Sequence, residues 1–198
     1  MKPKTFLLIT FILVALAQLF VPYQMIRTQA GFAETGTEFK FKTGNRFNPN
    51  FNGIGSDLSG KFIWLKFRED QIQIGDKKDW ENIRNAYVEF TTDSAGFAKI
   101  LSVATVKPVS RNDWVRARVN VDWKDSTRLQ IFYPFNKYYI QDTKSKMVES
   151  VIKNRLCDTL KTNYLKIKIK ENQFVAGDLV IDGVPFKEMI GDTTRPIN

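Results

Sequence analysis

Val115-Arg116-Ala117-Arg118-Val119-Asn120-Val121-Asp122-Trp123 alternates apolar and polar side chains without a break. A β-strand sends successive residues to opposite faces, so such a stretch can bury one face and wet the other. It is therefore read as a half-buried strand with Val115, Ala117, Val119, Val121 and Trp123 toward a core. Lys124-Asp125-Ser126-Thr127 then turns the chain into residues 128–133, where Leu129, Ile131 and Tyr133 share a face. Two alternating runs joined by a short polar turn make a hairpin, and this one sets the class of the domain.

Working outward, residues 87–91 and 97–106 flank Asp93-Ser94-Ala95-Gly96, a second hairpin. Residues 61–67 are apolar on both faces, as near the centre of a sheet, and Glu38 to Lys42 form a first short strand. Between them, residues 43–60 contain nine Gly, Asn or Pro in 18 positions, which predicts a long loop. Residues 68–85 read as charged and irregular around Trp80, with room for a helical turn. Downstream, Met147, Val148, Val151, Ile152, Leu156 and Leu160 recur at helical spacing, with Asp142 or Thr143 as N-cap. Strand patterning returns where Leu165, Ile167 and Ile169 alternate with lysines. Glu171-Asn172-Gln173 turns the chain into residues 174–181, and Asp182-Gly183 precedes a last apolar run, Val184-Pro185-Phe186. About eight strands and one substantial helix predict an α+β, mostly antiparallel β-rich domain, barrel-like or a sandwich.

The chain has 198 residues, 30 Lys+Arg against 21 Asp+Glu, no histidine and one cysteine. Without histidine there is no Ser-His-Asp triad, no Cys-His pair and no His-ligated zinc. One cysteine makes no internal disulfide, and Cys157 beside Leu156 is read as a small core residue. No cofactor and no metal are expected.

Residues 5–26 carry no charge and are mostly apolar, between Lys4 and Arg27. A helix of about 20 such residues crosses a hydrocarbon core about 30 Å thick. Residues 6–26 are thus expected to hold the chain in a membrane as an uncleaved signal anchor. Ala15-Leu16-Ala17 offers a competing cleavage site after Ala17, which would release an exported protein. Lys2 and Lys4 place the N-terminus in the cytoplasm, so residues 27–198 form a single extracytoplasmic domain on the inner membrane. Removing residues 1–26 leaves 172 residues with 28 basic and 21 acidic side chains, a net +7. That moderate charge suits an anionic lipid surface, and no nucleic-acid partner is expected.

The remaining hydrolytic option is a Ser-Lys dyad, with Ser59 and Lys61, or Ser56 and a core-facing lysine. Glu69-Asp70, Asp76 and Asp79 have basic neighbours and read as a solvated loop. Gly53, Gly55 and Gly60 precede a strand rather than a helix, so they read as turn residues and not as a phosphate loop. Lys166, Lys168 and Lys170, with Tyr164 on the same face, are candidates for lipid phosphates or an acidic partner, as in a lipid- or polysaccharide-binding module. The plainer reading is the wet face of a half-buried strand, or an edge guarded by lysine. Phe47 and Phe51 in the long loop are further candidates for a protein contact.

Aromatics gather at Phe62, Trp64 and Phe67 and again at Tyr133-Pro134-Phe135-Asn136-Lys137-Tyr138-Tyr139. With the anchor before them, these stretches resemble the GDYXXLXY family of uncharacterised membrane-anchored bacterial proteins. Gly60-Lys61-Phe62-Ile63-Trp64-Leu65-Lys66-Phe67 is similar to its naming pattern, and Tyr133 to Ile140 to its second aromatic-proline block. Gly177-Asp178-Leu179-Val180-Ile181-Asp182-Gly183 is similar to its closing strand and turn. Lys61 replaces the family's Asp, and Phe62 and Phe67 replace tyrosines. The glycine and the apolar pattern survive, and the motif positions Gly60, Phe62, Leu65, Phe67, Pro134, Phe135, Tyr138 and Tyr139 read as architecture. The resemblance implies no catalytic residue and suggests an accessory subunit for a polytopic membrane protein.

Overall fold

A computed structural model describes residues 35–44, 54–109, 111–141 and 162–191, with positions 11, 14, 17–20, 23, 144, 148 and 151 besides. The chain divides into two units, Met1–Gly36 and Thr37–Asn198. In the first, Phe11, Val14, residues 17–20 and Tyr23 are helical, and Phe11, Leu19 and Tyr23 are exposed. No helix among the described residues is long and apolar enough to cross a membrane, and most of the expected span lies outside them.

The second unit is mostly antiparallel β-sheet. Its described strands are β1 (Thr37–Lys42), β2 (Ile54–Asp57), β3 (Gly60–Trp64), β4 (Gln71–Gln73), β5 (Asn85–Thr92) and β6 (Ala98–Ala104). They continue with β7 (Trp114–Val121), β8 (Arg128–Phe132), β9 (Lys137–Ile140), β10 (Tyr164–Lys170), β11 (Gln173–Ile181) and β12 (Val184–Pro185). Three sheets result, ordered β1-β10-β11-β12, β2-β3-β9 and β4-β8-β7-β5-β6. All three contribute to one core, a barrel-like arrangement.

β7 behaves as its alternation requires: Val115, Ala117 and Val119 are buried, while Arg116, Arg118 and Asn120 are exposed. It lies between β5 and β8, so both of its edges are paired. Aromatic rings fill the middle of the core. Phe41 on β1 lies 5.1 Å from both Phe90 and Phe135, and 5.5 Å from Phe67. Edge-on contacts of this kind add about 0.5–1.5 kcal/mol per pair beyond the burial itself. The buried Tyr133 hydroxyl donates to the Glu69 carbonyl, and burial pushes its phenol well above its ordinary pKa.

Several expectations need correction. The stretch 43–60 is not one loop. Residues 54–57 pair with residues 60–63, and Gly60 at φ 124° closes the turn in a conformation few side chains tolerate. The Asp57 carboxylate accepts the Ser59 amide at 2.9 Å inside that turn. Residues 68–85 hold β4 and a 3-10 turn at Lys77–Asp79. Trp123 is not in the core but 87% exposed. The sheet pairing ends at Val121, where Asp122 and Asp125 take over amides of the turn, and Trp123 sits outside against Lys124. The last apolar run ends in a short helix, α1 (Phe186–Met189), which buries the Phe186 ring. Of the expected helix around 147–160, only Val148 and Val151 are described. Both are helical, and Val148 is fully buried in the core. The rest, Cys157 included, lies outside the described residues.

Candidate functional site

The β2-β3-β9 sheet has an inner and an outer face, and the register sorts its residues between them. Gly55 opposes Phe62, which opposes Tyr139; Trp64 opposes Lys137; Asp57 opposes Gly60. Because directly paired residues share a face, all of these project to one side, while Ile63 and Tyr138 project to the core. The outer face is thus a second aromatic cluster, separate from the core.

Phe62 is its floor and is only 4% exposed. The Trp64 and Tyr139 rings stand over it at 5.1 and 5.8 Å, and are themselves 39% and 48% exposed. A side chain at Gly55 would meet the tip of the Phe62 ring at 2.6 Å, so glycine makes room for the floor. Lys137 brings its ammonium to 4.4 Å from the Phe62 ring centre and 5.3 Å from that of Trp64, where the ring faces attract it. The same ammonium pairs with the Asp57 carboxylate at 2.7 Å, and the Tyr139 hydroxyl donates to that carboxylate at 3.1 Å. The bond from Lys137 holds the Asp57 carboxyl below its ordinary value, and Asp57 in turn raises Lys137. Leu58, fully exposed at the hairpin tip, adjoins the pair.

The arrangement offers exposed rings and a fixed ion pair, groups suited to recognition. The carboxylate is satisfied by a cation, a hydroxyl and an amide, which fits a positioned hydrogen-bonding group better than a general base. Two half-exposed rings beside a fixed ion pair offer apolar area at low entropic cost, with polar groups to set orientation.

The residues singled out in the sequence fall on both sides of this sheet. Phe62 and Tyr139 belong to the outer cluster, whereas Leu65, Phe67, Phe135 and Tyr138 are buried in the core and Pro134 is exposed. Phe47 and Phe51 lie outside the described residues. Gly55, Asp57 and Lys137 were not anticipated as members of a site. Period two links Phe62 with Trp64, but nothing local links Asp57 to Lys137, 80 positions away.

The lysine stripe is not an edge, because β10 lies between β1 and β11. Lys166 opposes Lys40, Lys168 opposes Glu38, and the three stripe lysines are each half-buried. Ser56 and Lys61 oppose each other in the hairpin, but Ser56 is exposed. A Ser-Lys dyad needs its lysine taken out of water; Lys61 is only half-buried, and Ser59, like Ser56, is exposed. The acidic residues of 69–81 serve local ends: Asp70 pairs with Lys66 at 3.6 Å, and Asp76 caps the 3-10 turn by accepting the Lys78 amide. Among the described residues no group of three or more metal-ligating side chains gathers.

No family model matches the chain, and no curated protein or solved structure does.

Proposed function

We propose that this chain is a membrane-anchored, non-catalytic accessory subunit, and that the outer face of β2-β3-β9 docks it to a protein partner. The half-exposed pair Trp64 and Tyr139 over a buried Phe62 carries the reading. Large rings prearranged at a surface are the usual anchors of protein interfaces, and the Asp57–Lys137 pair would set the register. The uncharged run of residues 5–26 supports attachment to the inner membrane, with the β-domain outside the cytoplasm. The resemblance to GDYXXLXY proteins favours a polytopic membrane protein as that partner. The test is affinity purification of the tagged full-length chain in mild detergent, wild type beside Trp64→Ala/Tyr139→Ala. The reading expects one near-stoichiometric membrane protein whose recovery falls at least about tenfold in the variant, as loss of a hot spot would cause. Equal recovery with the variant, or a solitary wild-type protein, would reject it.

A further inference from the structure

We propose that the end of the β-domain formed by residues 105–109 and 111–113 and the β10–β11 turn rests in the headgroup layer of the membrane. Val106 and Val109 would enter its apolar edge, with Lys107 and Arg111 on lipid phosphates. This builds on the anchored reading and adds an orientation to it.

The loop joins β6 to β7 and presents apolar side chains to water, Val106 at 74% exposure and Val109 at 99%. Exposed Lys107, whose ammonium lies 5.4 Å from the Trp114 ring centre, and exposed Arg111 are interspersed with them. The loop is held against the β10–β11 turn: the Glu171 amide donates to the Asn112 carbonyl at 2.6 Å, and the Asn172 amide to that of Trp114 at 2.9 Å. The Arg116 amide donates to the Asn172 side chain at 2.7 Å, so this end is one braced surface. Arg116 and Lys170 add positive charge there, against the carboxylates of Asp113 and Glu171. Small apolar tips among long cationic side chains suit a boundary where stems are buried and charges reach phosphate.

Chain continuity selects a lipid surface as the occupant. β1 begins at Thr37, which opposes Ile169, two residues before Glu171. The domain's first strand therefore starts at this same end. Residues 27–36 separate it from the uncharged run, and ten residues span at most about 36 Å fully extended. A domain entered from the membrane at this end keeps the loop within reach of the headgroups. At the opposite end of β7, beyond Val121, Lys124 lies against the exposed Trp123 and serves as an internal control.

The test reconstitutes the full chain into phosphatidylcholine vesicles, with and without about one-third phosphatidylglycerol, and follows amine acylation lysine by lysine by mass spectrometry. Lys107 should react about fivefold more slowly on the anionic vesicles, matching the attraction of one cation to such a surface. About 0.5 M NaCl should abolish that protection by screening. Val106→Asp/Val109→Asp should abolish it too, with an unchanged thermal melt, and Lys124 should react equally throughout. Equal Lys107 rates on both vesicles would overturn the proposal. Alkaline carbonate extraction reads the anchor separately. Protein that stays in the membrane with Lys107 unprotected refutes the docking alone, and protein released by carbonate yet protected on anionic vesicles refutes the anchor alone.

Discussion

Two aromatic clusters share two stretches of chain, residues 62–67 and 133–139, and differ in what surrounds them. The inner one joins Phe41, Phe67, Phe90, Tyr133 and Phe135, all between 0 and 3% exposed, and its one hydroxyl is spent on a backbone carbonyl. The outer one joins Phe62, Trp64 and Tyr139 with a charge pair, and two of its three rings meet solvent. β3 and the segment after it serve both, since Phe62 and Trp64 point outward while Ile63 and Phe67 point inward. The difference teaches that one aromatic run can supply stability and a surface at once, because period two divides it between two environments.

The comparison breaks if the two clusters respond alike to truncation. Phe41→Ala should cost about 3–5 kcal/mol, as removal of a buried ring leaves a cavity, read as a fall in the urea midpoint at constant slope. Gly55→Val places atoms where the Phe62 ring tip now lies and should cost about 1–3 kcal/mol through overpacking. Its larger signature would be a displaced Trp64, followed by that residue's fluorescence in a background where the other tryptophans are Phe. Trp64→Ala should cost under about 1 kcal/mol, since the ring is already part exposed, while weakening the partner contact strongly. A stability loss equal to that of Phe41→Ala would make Trp64 a core residue and undo the distinction.

Asp57 sharpens it at the smallest scale. Its folded-state pKa is depressed, so its contribution is complete above the ordinary carboxylate value of 3.8 and is lost as pH falls through the lower folded value. Lys137 is raised, so its contribution is complete below 10.5 and is lost as pH rises through the higher folded value. The link between β2 and β9 is therefore intact across the neutral range. In hydrogen exchange, amides of residues 60–63 should lose protection in acid below pH 3.8 in the wild type. Asp57→Asn should have that lower protection already at neutral pH and vary less with acid. Its global stability should change little, because the pair is exposed and screened.

How much was legible follows from the range of each signal. Alternation at 115–121, 128–133 and 164–170 marks strands because one buried face writes itself into every second residue. β2 escaped because its residues, Ile-Gly-Ser-Asp, carry no such pattern and become a strand only through pairing with β3. Trp123 misled because alternation continues past the point where the sheet partner ends.

The candidate site divides the same way. Pairing of Phe62 with Trp64 follows from the sequence alone, since two residues apart on a strand is a local fact. The β-rich class, the aromatic wealth, the missing histidine and the uncharged N-terminal run are likewise sequence properties. The tertiary structure alone decided that Tyr139 and Lys137 lie opposite Phe62 and Trp64, and that Asp57 reaches Lys137 across the sheet. It also decided that β10 is interior. Strand order and register are set by contacts between distant segments, where the burial of one shared core chooses among pairings that local patterning leaves equal.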